Sequence, residues 1–397
     1  MSVIQTTFSE DFINKIVKEQ CKDVIEILST ETSYVVPPGE NYTCELLRIV
    51  VKFSKKDRDD VQSMSMIVKH LPEGELAKSF NEEMGLFSCE FGIYCDILPM
   101  IEKLEHKEKV ASKTYYASKE SKNIIVMEDL SPLNYKMADR QEGLNLEHCL
   151  LAIKKIAYFH VSSLALYEKN PKIMDYYNKG MLPKSQSFEK YFSVAFQGTL
   201  NVCKTEPSLQ KYYQKISKDI KDKLYTSTQR DSKLNVLNHG DFWCNNLMFQ
   251  YNSDGSLKDV LFVDFQVSFF ASPFYDLHYF IATSTNQEVK EKHINDILRH
   301  YYDAFVNNVK MLKIKTNVPD WTDFEKEFCD KAYMGFLAMC IGLPVIKANK
   351  TKDASVTNFI ENGEEGSFRY HCFSNSNYIN TIKFLMPYYD DLGVFDS

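Results

Sequence analysis

Residues 238–248 read Asn238-His239-Gly240-Asp241-Phe242-Trp243-Cys244-Asn245-Asn246-Leu247-Met248, and residues 263–266 read Val263-Asp264-Phe265-Gln266. The first segment follows a strand-like apolar run, Leu234–Leu237, and the second ends another, Val260–Val263. With Leu247–Tyr251 between them, the pattern is a hairpin whose strand ends present two carboxylates and a carboxamide. Such groups can converge on one point, and phosphoryl transfer needs that convergence. One carboxylate must meet the acceptor hydroxyl, while oxygen ligands hold magnesium against the nucleotide phosphates. Alone, an Asp after Gly is more often a turn residue, and a strand-end Asp a cap. Asp241, Asn246 and Asp264 in this order make the chemical reading the stronger one.

The elements that must position these groups divide the chain by character. Phe12, Ile16, Cys21, Val24 and Leu28 fall near one helical face, predicting an opening amphipathic helix over Phe8–Leu28. Pro37-Pro38-Gly39 stops it. Strand-like runs follow at Cys44–Phe53 and Ser63–His70, across a charged turn at Lys55–Asp60. Glu75–Leu98 reads as helical, and Thr114–Ala117 and Asn123–Glu128 as strands. After Asp129 helical patterns dominate: Leu146–Leu166, Ser187–Val202, Ser208–Ser227, and most of the chain from about Asp276 to Tyr388. The expectation is an α+β chain with a small strand-rich lobe over 1–129 and a larger, mostly helical lobe over 130–397 that embeds the hairpin.

Composition bounds the function. The chain has 397 residues, 44% apolar and 25% charged, in the range of globular proteins. A net charge of −7 gives no general attraction for nucleic acid. The start, Met1–Asp11, lacks the basic and apolar regions of a secretory signal. The apolar run Tyr333–Ile346 is too short to span a bilayer and carries Pro344. Ten scattered cysteines, with no Cys-x-x-Cys pair, read as reduced thiols of a cytoplasmic protein rather than as a disulfide frame or zinc site.

The two acidic motifs and their spacing resemble the aminoglycoside phosphotransferase and choline kinase group, and their wording is closer still to the ecdysteroid kinase-like family of arthropods. Further matches fall in that family's order: Gly39-Glu40-Asn41-Tyr42, Val68-Lys69-His70-Leu71-Pro72, Phe87-x-x-Glu90-x-x-x-Tyr94-x-x-x-Leu98-Pro99, Met127-Glu128-Asp129-Leu130 and Phe159-His160. The resemblance implies a two-lobed protein-kinase-like fold, ATP and Mg2+ as cofactors, and a small-molecule alcohol as acceptor. It makes Asp241 the carboxylate that accepts from, or orients, the acceptor hydroxyl, and Asn246 and Asp264 the magnesium ligands. His239 would brace the catalytic loop, and Asp276 would tie it down by accepting backbone N–H bonds, with a helix cap as the plainer alternative. Trp243 reads as packing.

On the same resemblance Lys69 meets the ATP phosphates. Its partner is Glu83 or Glu90, and the spacing around Phe87 and Tyr94 favours Glu90. Asn41 belongs to the phosphate-covering loop, where Cys44 stands at a position commonly Ser. Met127, Glu128 and Leu130 form the crossover whose backbone meets adenine. The acceptor pocket is expected from Leu182–Tyr225 and Asp330–Tyr388, rich in Phe, Tyr and Met. Three functions follow: a kinase for a steroid or other apolar alcohol, a kinase for choline or an aminoglycoside-like compound, and a non-catalytic binding module on the same fold. The intact set Lys69, Asp241, Asn246 and Asp264 speaks against the last.

Overall fold

The computed structural model describes residues 8–35, 44–56, 58–71, 81–119, 123–178, 186–216, 234–349, 351 and 353–396. The opening helix is Glu10–Gln20, capped by the Ser9 hydroxyl, which accepts from Phe12 N. It ends eight residues before Leu28, the last apolar position of the predicted helical face. Asp23 takes a φ of 62°, and the chain then runs as strand β1, Val24–Tyr34. Val24 and Leu28, placed on a helical face by their spacing, are therefore strand residues. Pairing with the next strand overrides a local pattern compatible with both periods.

Strand β2 (Glu45–Lys55), β3 (Gln62–His70), β4 (Thr114–Ser118) and β5 (Ile124–Glu128) complete an antiparallel sheet in the order β1-β2-β3-β5-β4. The two-residue side-chain period sorts its faces. Met64, Met66 and Val68 of β3, with Ile124 and Val126 of β5, join Ile13, Ile16 and Val17 of the opening helix in one core. Their neighbours Lys69, Ile125 and Met127 must point the other way. That second face meets a helix running Leu86–Gly92, widening to a π-helical turn over Ile93–Ile97, and ending at Leu98–Ile101.

The remainder is mostly helical around Leu146–Lys169, whose residues from Ile156 to Leu166 are all buried. Among the described residues it is the one helix with the length and apolar composition of a membrane span, yet 83% of its most apolar window is buried inside the fold. It is a core helix. The apolar run Tyr333–Ile346 forms two helices, Tyr333–Ile341 and Leu343–Lys347, broken at Gly342. Short strands β6 (Tyr135–Met137), β8 (Leu247–Tyr251) and β9 (Leu257–Phe262) form one small sheet, and β7 (Val236–Asn238) pairs with β10 (Phe269–Ala271) in another. The ten cysteines are all free.

Candidate active site

Lys69 sits one residue before the end of β3, between Leu46 of β2 and Ile125 of β5. Its ammonium lies 2.6 Å from Glu90 Oε2 and 2.8 Å from Asp264 Oδ1. Burial works against its charge, but the two carboxylates, Asp264 foremost, hold it protonated well above the usual lysine range. Burial likewise pushes Glu90 up, and the Lys69 ammonium pulls it back. Glu83 lies exposed before the helix that carries Glu90, on the far side of Gly85, whose φ is 66°. Beside Glu90, the Cys89 thiol donates to the carbonyls of Phe265 (3.4 Å) and Ser268 (3.3 Å). Burial keeps that thiol protonated, pushed up to about 12.

Asp241 follows Gly240, whose φ is 85°. A Cβ on Gly240 would lie 2.1 Å from Val267 O, so backbone conformation and space both demand glycine here. The loop is fixed from below by Asp276, in the first turn of the helix Phe274–Thr283 and fully buried. Asp276 Oδ2 accepts from His239 N at 2.7 Å and His160 Nε2 at 3.1 Å, and Oδ1 from Gly240 N at 2.9 Å. Because His160 donates through Nε2, its Nδ1 accepts the Tyr301 hydroxyl at 2.7 Å. His239 spans the hairpin: Nδ1 accepts from Asp241 N at 3.3 Å while Nε2 donates to Val263 O at 3.1 Å. Burial lowers its pKa, which suits a neutral ring in this bridging role.

The Asp241 carboxylate receives three donors. Tyr279 OH reaches Oδ1 at 2.8 Å, while Trp243 Nε1 (3.2 Å) and Asn246 Nδ2 (2.9 Å) reach Oδ2. Burial, then the charge of Asp264, pushes this carboxyl up to about 6 against those donors. Asn246 also donates to the Asp241 backbone carbonyl at 2.9 Å. Both its amide protons are thereby committed, and Oδ1 is left open among the described residues. Asp264 has a φ of 67°, a left-handed conformation costly for a side-chain-bearing residue. Its Oδ1 holds Lys69, and Oδ2 is open among the described residues.

These open oxygens fit a divalent ion that keeps its remaining coordination for phosphate and water, as magnesium does. Among the described residues no group of three or more His, Cys, Asp or Glu side chains forms an all-protein cage. The crossover Met127, Glu128 and Leu130 is held by Asp129, which accepts from Arg48 Nε (2.7 Å), Ser65 Oγ (2.6 Å) and Ser131 N (3.0 Å). Glu128 itself pairs with Lys109 at 2.5 Å. Asn41 lies outside the described residues. The sequence reading missed Tyr279 and gave Trp243 no polar role. Tyr279 had one available signal: it stands three residues after Asp276, on the same helical face.

A strand-rich lobe above a helical one, with a buried Lys–Glu pair facing a hairpin of two aspartates, is the protein-kinase-like fold. A choline kinase from Cryptosporidium parvum Iowa II has the same fold at a TM-score of 0.51, with 12% identity over 97% of this chain and 98% of that one. An ethanolamine kinase from Plasmodium vivax aligns with 12% identity over 98% of this chain and 93% of that one, at a TM-score of 0.44. No curated protein sequence matches. The chain belongs to the ecdysteroid kinase-like family, whose family model matches residues 38–314. Fold and family together define a small-molecule kinase.

Proposed function

We propose that the chain transfers the γ-phosphoryl group of ATP to a hydroxyl of a small apolar alcohol, an ecdysteroid or a chemically similar compound, with Mg2+ as cofactor. The observation that carries this is Lys69 held between Glu90 and Asp264, at 2.6 and 2.8 Å, beside a loop that presents Asp241. Residues 1–129 serve as the nucleotide lobe and 130–397 as the catalytic and acceptor lobe. Lys69, oriented by Glu90, binds the ATP phosphates, Asn41 belongs to the loop covering them, and the backbone of Met127, Glu128 and Leu130 meets adenine. Asn246 and Asp264 would hold the magnesium ion, which when bound neutralises phosphate charge. Asp241 accepts the proton of the acceptor hydroxyl. The acceptor oxygen forms its bond to the γ-phosphorus as the bond to the β-phosphate oxygen breaks, and ADP leaves.

An apolar acceptor is supported by the surroundings of Asp241. Trp243, Tyr275 and Tyr279 belong to one apolar cluster with Phe196 and Tyr333, contributed by the helices Gln186–Thr205 and Tyr333–Ile341. A cationic acceptor would want acidic or aromatic-cage residues there, and it is the acidic set that distinguishes it from an apolar one. The carboxylates buried among the described residues, Glu90, Asp129 and Asp276, are all bonded elsewhere. Ten free cysteines support a reducing, cytoplasmic location.

The test is transfer of labelled γ-phosphate from MgATP to a panel of ecdysteroids and other sterols, set against choline and aminoglycosides. Label is expected in the sterol fraction only. Label on choline would replace the acceptor class, and MgATP binding without transfer to any alcohol or amine would favour a binding module. Within the nucleotide site, Glu90→Ala is expected to raise KM for MgATP about tenfold or more, the equivalent of roughly 1.4 kcal/mol, because Lys69 loses its orienting partner. Glu83→Ala should stay within about twofold. Steady-state kinetics on both variants decide the helix register, and the opposite ranking would overturn it.

A further inference from the structure

The three donors on Asp241 are unequally distributed, and this has a chemical consequence. A carboxylate offers about four in-plane acceptor sites, two on each oxygen. Oδ2 carries both Trp243 Nε1 and Asn246 Nδ2, and is filled. Oδ1 carries Tyr279 OH alone. One site therefore remains open, on Oδ1 beside the Tyr279 hydroxyl. Tyr279 is not held there by the carboxylate alone. Its ring stacks on Tyr275, with centroids 6.0 Å apart and planes 16° from parallel. Its hydroxyl passes 3.5 Å from where a Cβ on Gly342 would lie, at the break between two helices. Only 8% of the residue is exposed.

We propose that Tyr279 is a positioning residue, which fixes the plane of the Asp241 carboxylate and makes Oδ1 the oxygen that meets the acceptor hydroxyl. The proposal rests on the kinase function given above and adds to it which oxygen works and what aims it. It also fixes the side of approach: the acceptor oxygen arrives along the Tyr279 edge of Asp241, away from Trp243 and Asn246. Removing the Tyr279 hydroxyl frees the second site on Oδ1 and leaves the carboxylate hinged on its Oδ2 contacts. Nucleotide contacts on Lys69 and Asp264 are untouched.

Tyr279→Phe keeps the ring and its stacking, and two measurements test it. The first is hydrolysis of MgATP with water as the acceptor probe. The variant is expected to lose about 10- to 100-fold in kcat, the range of one hydrogen bond to a charged group, with KM for MgATP within about twofold. An unchanged kcat, or a KM that rises in step with the fall in kcat, would overturn the proposal. The second is independent of turnover. The chain has two tryptophans, Trp243 and Trp321, so protein labelled with 15N-tryptophan gives two indole N–H cross-peaks, assigned with Trp321→Phe. Tyr279→Phe should shift the Trp243 cross-peak, as its carboxylate partner turns, and leave that of Trp321 in place. Coincidence of the Trp243 cross-peak with wild type would also overturn the proposal. Failure of the underlying kinase reading looks different: the wild-type protein itself would then neither transfer nor hydrolyse the γ-phosphate of MgATP.

Discussion

Asp241→Asn is expected to bind MgATP with nearly wild-type affinity and to transfer phosphate about 10²- to 10⁴-fold more slowly, the range for loss of a general base. The substitution is well tolerated locally. Its amide oxygen can stay on the side of Trp243 Nε1 and Asn246 Nδ2, and its NH2 then faces the Tyr279 hydroxyl, which can turn to accept. What disappears is basicity toward the acceptor. Asp264→Asn makes the contrast, since it removes charge from the residue paired with Lys69 and from one of the two open oxygens. It should weaken the magnesium dependence of nucleotide binding as well as turnover. Calorimetric titration of MgATP into both variants, beside single-turnover transfer, separates the roles. Full transfer by Asp241→Asn would end the assignment of Asp241 as catalytic base.

The second large effect is structural. Asp276→Ala is expected to destabilise the fold by about 3–5 kcal/mol, since each buried donor left without an acceptor costs about 1–3 kcal/mol. Three donors lose their acceptor at once: His239 N, Gly240 N and His160 Nε2. None can recruit water easily, because Asp276, His239 and His160 are all fully buried. Urea denaturation should show a lower midpoint at an unchanged slope. A midpoint within experimental error of wild type would show that the loop stands without its anchor.

Much of this architecture was legible in the sequence because local chemistry and tertiary role agree there. β-Branched runs became β2, β3 and β5, and the Leu146–Lys169 helix followed its three- and four-residue repeat. Gly240 was informative because its left-handed turn leaves no room for a side chain. Legibility failed where two periods fit the same residues. Val24-Ile25-Glu26-Ile27-Leu28 continues the apolar face of the opening helix as readily as it lies along β2, and only the pairing decides. It failed again at Tyr279 and Trp243, for a different reason. Aromatic side chains are common in this chain, 24 of them tyrosine, and whether one packs or donates a hydrogen bond depends on a partner 38 residues away or on a loop turning back on itself.

The thiol of Cys89 bears on how the molecule can move. By chain order the helix Leu86–Ile101 belongs with the sheet, and its bonds run both ways, from Glu90 to Lys69 of β3 and from Cys89 to the segment after Asp264. Phe87, Ile93, Tyr94, Ile97 and Ile101 share one continuous core with the large helical lobe, while the outer face of the sheet has a separate core with the opening helix. That continuous core also takes in Ile125 and Met127 from the inner face of the sheet. The helix bearing Glu90 is therefore packed from both sides, and displacing Glu90 from Lys69 or from Asp264 would open a core that the two lobes share.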